Sequence, residues 1–387
     1  MTMKDFDFAT SGRILFGRGK LDVLSEVINY YGKKALVIKG KKFPNADKLL
    51  EILHRAGKNI QIFVVPHEPD IDLIEQSIRE ARKSQCDFVV GFGGGAVVDA
   101  GKAVSALLNN PGNLIDYLEV VGKGERLKNP SFPYIAIPTT AGTGSEVTRN
   151  AVIRVPKSRV KVSLRHAYLL PSIAIIDPEL TLSVPPPVTA STGMDAFTQV
   201  IEPYVTKFTN PVVDMFCREG IPLGAKNLLS AYENGAHLEA RENMAYVSLL
   251  GGLSLANAKL GAVHGFAGPI GGMFNAPHGT ICAALLPAVM QVNAEQISKV
   301  DGEENKVNRF KEIAEWITGD KAATIQDGVE WISSLAASLE IPGLSELGIS
   351  SSDFASIIDK SKRSSSMKGN PVTLSDDQME RILEMSM

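Results

Sequence analysis

The first half of the chain alternates short β-branched runs with amphipathic stretches of helical period. Lys34-Ala-Leu-Val-Ile-Lys39 reads as a buried strand and Asn45 to Ala56 as a helix. Ile60 to Val65 is a second strand, Ile71 to Ser84 a second helix, and Asp87 to Gly91 a third strand that runs into a glycine cluster and another helix. Tyr134 to Ile137 and Ile173 to Asp177 read as further strands. Strands alternating with helices of about 10–15 residues predict βαβ units and a parallel, Rossmann-like sheet. The period changes after Asp177-Pro178. From about Pro187 onward it is helical with no strand, as in Glu239 to Leu260 and Val307 to Leu339. Pro185-Pro186-Pro187 reads as a stiff hinge. The expected architecture is an α/β domain over 1–184 and an all-helical domain over 185–387.

Composition agrees with two domains and excludes several classes of partner. The chain has 387 residues, 44% hydrophobic and 21% charged, enough to bury a large core. Forty Lys and Arg face 43 Asp and Glu, a net charge of −3, so there is no electrostatic case for a nucleic acid or an anionic membrane. No apolar run approaches the roughly 20 residues that span a bilayer. The three cysteines, Cys86, Cys217 and Cys282, are scattered without metal-type spacing, which predicts free thiols in a reducing compartment. The opening residues carry no apolar signal-peptide core, so the expected location is cytoplasmic.

Two loops carry the chemistry of a bound nucleotide. Gly93-Gly94-Gly95-Ala96-Val-Val-Asp99 lies at a strand-to-helix turn, where glycines let the backbone approach a ligand and the helix start offers N–H groups to a phosphate. A structural turn explains the glycines equally well, and the loop follows the third predicted strand rather than the first. Ile137-Pro-Thr139-Thr140-Ala-Gly142-Thr143-Gly144-Ser145-Glu146 places hydroxyls and glycines after another strand, at the expected carboxyl edge of the sheet. Ligands bind at that edge in open α/β folds, although hydroxyls there also serve as helix caps.

Of six histidines, His54, His166 and His237 read as surface residues and His67 as a loop residue. His264 and His278 differ, each being followed by glycine in apolar sequence. A buried neutral histidine bonded to backbone is the plain explanation for either alone. Asp195 and Gln199 are four apart near the start of a predicted helix and so share a face. A carboxylate in a first turn also suits the helix dipole without further function.

Taken together, the motifs resemble the iron-containing (group III) alcohol dehydrogenases over nearly the whole chain. These belong to the superfamily that also holds glycerol dehydrogenase and dehydroquinate synthase. Gly93 to Lys102 resembles the family's pyrophosphate loop, and Thr139 to Glu146 its second nucleotide loop. Phe16-Gly17, Asp177-Pro178, Gly193-Met-Asp195-Ala, the two His-Gly pairs and Asn370-Pro371 follow in the family's order. The resemblance implies an α/β domain followed by an all-α domain, with a cleft between them where nicotinamide meets a metal. It implies that Gly94, Gly95, Ala96, Asp99, Thr139, Thr140, Thr143 and Lys161 line the nucleotide site. It implies metal ligation by Asp195, Gln199, His264 and His278, with Asp195, His264 and His278 as the catalytic set. The implied activity is hydride transfer between NAD or NADP and a small primary alcohol or aldehyde, assisted by Fe2+ or Zn2+. The implied assembly is a homodimer or higher homo-oligomer.

The chain departs from the family pattern at three places. Gln199 stands where the family has a metal-binding histidine, and a neutral amide oxygen holds late first-row metals more weakly than an imidazole. Asp195, His264 and His278 still make a two-histidine, one-carboxylate set with open positions, which is what catalytic zinc or iron(II) requires. Gly268 replaces a further family histidine near the nicotinamide, so a different proton relay is needed. Strand Lys34–Lys39 ends in Gly40-Lys41-Lys42 and lacks the carboxylate that NAD-preferring members place there. The lysines suit a 2′-phosphate and favour NADP, or are plain solvated turn residues. Alternatives at this stage are a metal-independent reductase like the maleylacetate reductases, a dehydroquinate-synthase-like lyase and a non-catalytic nucleotide-binding relic.

Overall fold

The computed structural model describes residues 5–41, 45–158, 160–274 and 276–387. They fall into two compact units, one of residues 9–140 and 144–184, the other of 5–8, 141–143 and 185–387.

Eight strands among the described residues build the first unit: β1 (Ile14–Phe16), β2 (Lys34–Gly40), β3 (Asn59–Val65), β4 (Phe88–Gly93), β5 (Tyr134–Pro138), β6 (Asn150–Val155), β7 (Val160–Arg165) and β8 (Ile173–Ile176). Six form one parallel sheet in the order β1-β8-β5-β4-β2-β3. Along β2 the side chains alternate between faces, and both sets are fully buried. Ala35 and Val37 join the apolar layer that holds Ala46, Leu49 and Leu53 of helix α1 (Ala46–Arg55). Leu36 and Ile38 join the layer that holds Ile74, Ile78 and Ala81 of α2 (Ile71–Lys83) and Val97 and Val98 of α3 (Gly95–Leu108). A parallel sheet needs cover on both faces, which is why its strands read as continuous apolar runs.

The strand order fixes where a ligand belongs. From β2 the chain moves out to β3 on one side, then returns to place β4 on the other side of β2. The β2–β4 junction is therefore the switch point, and the crevice at the carboxyl ends of these strands is the binding position in open α/β sheets. The glycine turn follows the third helix-linked strand in sequence, yet it lies beside the first in space.

Two features were not anticipated. β1 is a three-residue strand paired with β8, too short to show a period. β6 and β7 form an antiparallel hairpin apart from the main sheet. Ala151, Ile153, Val155, Val162 and Leu164 point into the core from it, and the intervening Arg154, Lys161, Ser163 and Arg165 give the apolar–polar alternation of a half-buried hairpin rather than an apolar run.

The second unit contains nine helices of at least nine residues among the described residues: α4 (Pro186–Val205), α5 (Pro211–Glu233), α6 (Leu238–Asn257), α7 (Ala262–Phe274), α8 (His278–Ile297), α9 (Glu304–Thr318), α10 (Ile325–Ser338), α11 (Phe354–Lys362) and α12 (Asp376–Met385). The chain enters the second unit at the three prolines. Pro185 is the N-cap of α4, and Pro186 and Pro187 open its first turn, where a missing N–H costs nothing and the fixed φ suits the helix. No helix among the described residues is long and apolar enough to cross a membrane.

Glu146, in the loop after β5, is 3% exposed. Burial is the main cause that raises its carboxyl from 4.5 to about 7, against opposing help from its own backbone N–H and from Lys102. Because the folded value lies above the unfolded one, this group's contribution to stability is complete below pH 4.5 and is lost as pH rises through about 7. Glu146→Gln should therefore match the wild type near pH ~4 and exceed it by as much as ~3 kcal/mol near pH ~8.5. Urea unfolding at the two pH values checks this, and an equal effect at both would refute it.

Candidate functional site: two nucleotide loops and a His-His-Asp-Cys cluster

The glycine loop divides into strand residues and accessible residues. β4 extends through Gly93, so Gly91 and Gly93 belong to the buried strand. Gly94 caps α3, and Gly94, Gly95, Ala96 and Asp99 stay partly exposed. A Cβ on Gly94 would stand 3.4 Å from the Thr140 side chain, which brings the two predicted nucleotide loops together. Thr139 is buried and its N–H donates to the Gly93 carbonyl at 3.0 Å. Thr140 and Thr143 are partly exposed.

Asp99 and Lys161 are already engaged by the protein. Asp99 Oδ1 accepts from Ser145 Oγ and pairs with the fully buried Lys102 at 3.0 Å, while its Oδ2 accepts from Val152 N at 2.9 Å. It therefore ties the second loop and the hairpin to α3. Lys161 Nζ lies 2.6 Å from Glu68 Oε2, with its side chain 6% exposed. Gly40 is partly exposed and Lys41 exposed at the end of β2; Lys42 lies outside the described residues.

The metal-type side chains converge. Asp195 sits in α4, and Gln199 and Glu202 follow at one and two turns along the same face. His264 lies in the first turn of α7, His278 opens α8, and Cys282 follows His278 by one turn on α8. Asp195 Oδ1 is 3.2 Å from His264 Nε2 and 3.8 Å from His278 Nε2. Cys282 Sγ is 3.7 Å from His278 Nε2 and 3.9 Å from His264 Nε2. One ligand atom from each of Asp195, His264, His278 and Cys282 lies within 4.8 Å of all the others.

Local sequence explains how the helices come so close. A Cβ on Gly279 would meet the Ser191 carbonyl at 2.0 Å, so glycine after His278 lets the start of α8 rest on α4. A Cβ on Gly261 would meet Glu202 Oε1 at 2.7 Å, so glycine there admits the carboxylate that caps α7. Glu202 accepts from Val263 N at 2.8 Å and from His264 Nδ1 at 2.6 Å. It neutralises the helix start and fixes the His264 tautomer, leaving Nε2 to present a lone pair. Asn370 holds the same turn, its Oδ1 accepting from Ala262 N at 3.0 Å, and it pairs reciprocally with Asn293 of α8.

The charges are strongly coupled. Burial alone would raise the Asp195 carboxyl, yet the His264 hydrogen bond and the His278 charge hold it below its ordinary value. Burial would lower both imidazoles, but the neighbouring Cys282 and Asp195, with Glu202 in the case of His264, raise them. Burial would raise the Cys282 thiol, but the two histidines pull it down. Two negative groups facing two imidazole nitrogens make a pocket that suits a divalent cation, which would displace the protons that the imidazoles and the thiol otherwise hold.

The predicted residues have different fates. Asp195, His264 and His278 come together. Gln199 is buried, its Nε2 donates to the Gly142 carbonyl at 3.2 Å, and its Oε1 has no hydrogen-bond partner. The amide thus commits its donor to the second nucleotide loop, where Gly142 N also donates to Ser248 Oγ at 2.8 Å. A Cβ on Gly268 meets nothing within 4 Å, so no side chain fills the place of the absent histidine. Two residues of the site were missed. Cys282 had been read as a scattered thiol, yet His278 and Cys282 are four apart, the spacing that puts two ligands on one helix face. Glu202 completes the polar stripe 195–199–202 along one face of α4.

The sequence pattern of the iron-containing alcohol dehydrogenases matches residues 11–178, and that of the family's C-terminal part matches residues 189–387. The 1,3-propanediol dehydrogenase of Citrobacter freundii is 36% identical over 385 residues, covering 96% of each chain. The NADPH-dependent butanol dehydrogenase of Clostridium saccharobutylicum is 32% identical over 96% of this chain and 95% of its own. A crystal structure of a 1,3-propanediol oxidoreductase superimposes with a TM-score of 0.90 at 33% identity, covering 99% of this chain and 100% of the other. Likeness of this extent, in both halves and at full length, gives the assignment: the chain belongs to the iron-containing alcohol dehydrogenase family.

Proposed function

We propose that Asp195, His264 and His278 hold a divalent metal at which a small primary alcohol and its aldehyde are interconverted. Membership of the family makes the chain an NAD(P)-dependent oxidoreductase acting on CH–OH groups with a metal. The observation that supports this residue assignment is the convergence of the buried donor atoms within 4.8 Å. The donor set fits the group, because two imidazoles and a carboxylate suit zinc or iron(II).

A metal held there supplies Lewis acidity to the alcohol or carbonyl oxygen, and the nicotinamide gives or takes the hydride. The chain's own groups prepare that step. Asp195 supplies the negative charge that balances a cation in a buried pocket. Glu202 holds His264 by Nδ1, so the Nε2 lone pair is aimed at the shared point rather than lost to rotation. Gln199 fixes the Gly142 turn of the second nucleotide loop and leaves its buried Oε1 without a hydrogen-bond partner.

For the dinucleotide we infer NADP over NAD, because β2 ends in Gly40, flanked by Lys39 and Lys41, with no carboxylate for a ribose 2′-hydroxyl. Gly94, Gly95, Ala96, Thr139, Thr140 and Thr143 would cradle its phosphates, with Asp99 and Lys161 positioning the loops. The reading extends to a homo-oligomer in the cytoplasm. Three free, buried thiols support the reducing compartment, and the family resemblance supports the assembly.

The test is NADPH oxidation by purified protein with short straight-chain aldehydes and 3-hydroxypropanal, before and after chelation and with Zn(II) or Fe(II) restored. Aldehyde-dependent oxidation that is lost on chelation and regained with metal is expected. Turnover that survives complete metal removal would return the metal-free reductase reading that Gln199 raises.

A further inference from the structure

The family's fourth metal-binding side chain is absent at Gln199, and the cluster contains a donor that fills its place in chemistry though not in sequence. We propose that Cys282 is the fourth protein ligand, a thiolate recruited one helical turn after His278, and that it makes this site selective for zinc over iron. The inference rests on the reading that Asp195, His264 and His278 hold a metal.

Distances carry the argument first. Four protein donors around one ion, with metal–nitrogen and metal–oxygen bonds of about 2.0–2.1 Å and a metal–sulfur bond of about 2.3 Å, have ligand-to-ligand edges of roughly 3.3–3.6 Å in a tetrahedral arrangement, and the substrate oxygen would enter as a fifth ligand. The measured edges are 3.2 and 3.8 Å between Asp195 and the two imidazoles. They are 3.7 and 3.9 Å between Cys282 Sγ and the same nitrogens. These four edges lie within a few tenths of an ångström of what one ion requires, and the remaining two, His264–His278 and Asp195–Cys282, are no longer than 4.8 Å, so side-chain adjustment alone would close the donors on one ion.

Softness and charge point the same way. Gln199 offers at best a neutral oxygen, and its amide is already fixed to Gly142 through Nε2. A thiolate is the softer donor and favours zinc over harder competitors. With Asp195 it would supply two negative donors in direct contact with a dication, where a glutamine oxygen would supply none of that charge. Binding displaces the thiol proton to solvent, forming the metal–sulfur bond with no change of oxidation state. Cys282 is fully buried beside both imidazoles, which a thiol needing only apolar packing has no reason to be. Cys86 and Cys217, also buried, have no such neighbours among the four clustered groups.

X-ray absorption of the wild-type protein loaded with one equivalent of Zn(II) tests this without any substitution. The expected shell has one sulfur at about 2.3 Å and three or more nitrogen or oxygen neighbours at about 2.0–2.1 Å. The Co(II)-loaded protein should show a thiolate-to-metal charge-transfer band that Cys282→Ser lacks. That variant should also lose more than about tenfold in Zn(II) affinity, while cofactor binding reports that it has folded. A shell of nitrogen and oxygen alone would overturn the inference and leave the metal centre standing. Failure to bind Zn(II), Co(II) or Fe(II) at all would overturn both.

Discussion

Asp195→Ala should lower kcat/KM for aldehyde reduction by about 10³-fold or more, equivalent to about 4 kcal/mol of transition-state stabilisation. The residue is 2% exposed and its Oδ1 faces both imidazoles, so its removal takes away the pocket's hard anionic donor and the partner that orients His264 and His278. The two histidines are raised in part by Asp195 itself, so without it they become less basic and repel less. The protein should therefore fold, bind NADPH at the glycine loop with near wild-type fluorescence quenching, and lose its metal. Asp195→Asn keeps the shape and removes only the charge, and should sit between the alanine variant and the wild type in metal content. Elemental analysis beside steady-state kinetics reads both effects. Full activity in a protein whose metal has gone would sink the assignment, as would wild-type metal content in the alanine variant.

The sheet was legible because β2, β4, β5 and β8 are buried on both faces and carry apolar runs, while β3, at the edge with Ile62 and Val64 39% exposed, is marked by its β-branched residues. β1 has three residues and the β6–β7 hairpin alternates under a cover of charges, so neither gives a run to detect. Strand order was not legible at all. That β4 returns to the side of β2 opposite β3 is a long-range pairing, and only this pairing explains why a glycine turn after the third strand can mark the switch point.

Convergence was legible where a motif and a residue type coincide, as at Asp195, His264 and His278. It was missed where one had to compare separate helices. Cys282 carries only its four-residue spacing from His278 until α8 is seen to start there, which puts the thiol on the same helix face as the imidazole. Asp99 had the reverse problem. Its motif marks it as a cofactor residue, and the structure shows its oxygens bonded to Ser145, Lys102 and Val152. A motif preserves both the residues that touch a ligand and those that hold them, and sequence order does not separate the two. The glycines after His264 and His278 are of the holding kind, since a Cβ on Gly279 would run into the α4 backbone.

Gly40→Asp should reverse the dinucleotide preference, reducing the ratio of kcat/KM with NADP to that with NAD by roughly 10–100-fold. Gly40 closes β2 at the carboxyl edge, beside the switch point, and a Cβ there meets nothing within 4 Å, so the aspartate enters without strain or displacement. Its carboxylate would accept from the ribose 2′-hydroxyl of NAD, and would face the 2′-phosphate of NADP with like charge. The effect is differential and lies in KM, because the adenosine end binds equally in ground and transition states and the chemistry at Asp195 is untouched. A merely damaged strand end would weaken both cofactors together. An unchanged ratio would show that the 2′ position is read elsewhere and that Lys39 and Lys41 are solvated turn residues. Raised ionic strength gives an independent check, since a phosphate held by exposed lysines should loosen with salt in the wild type and should no longer do so in the variant.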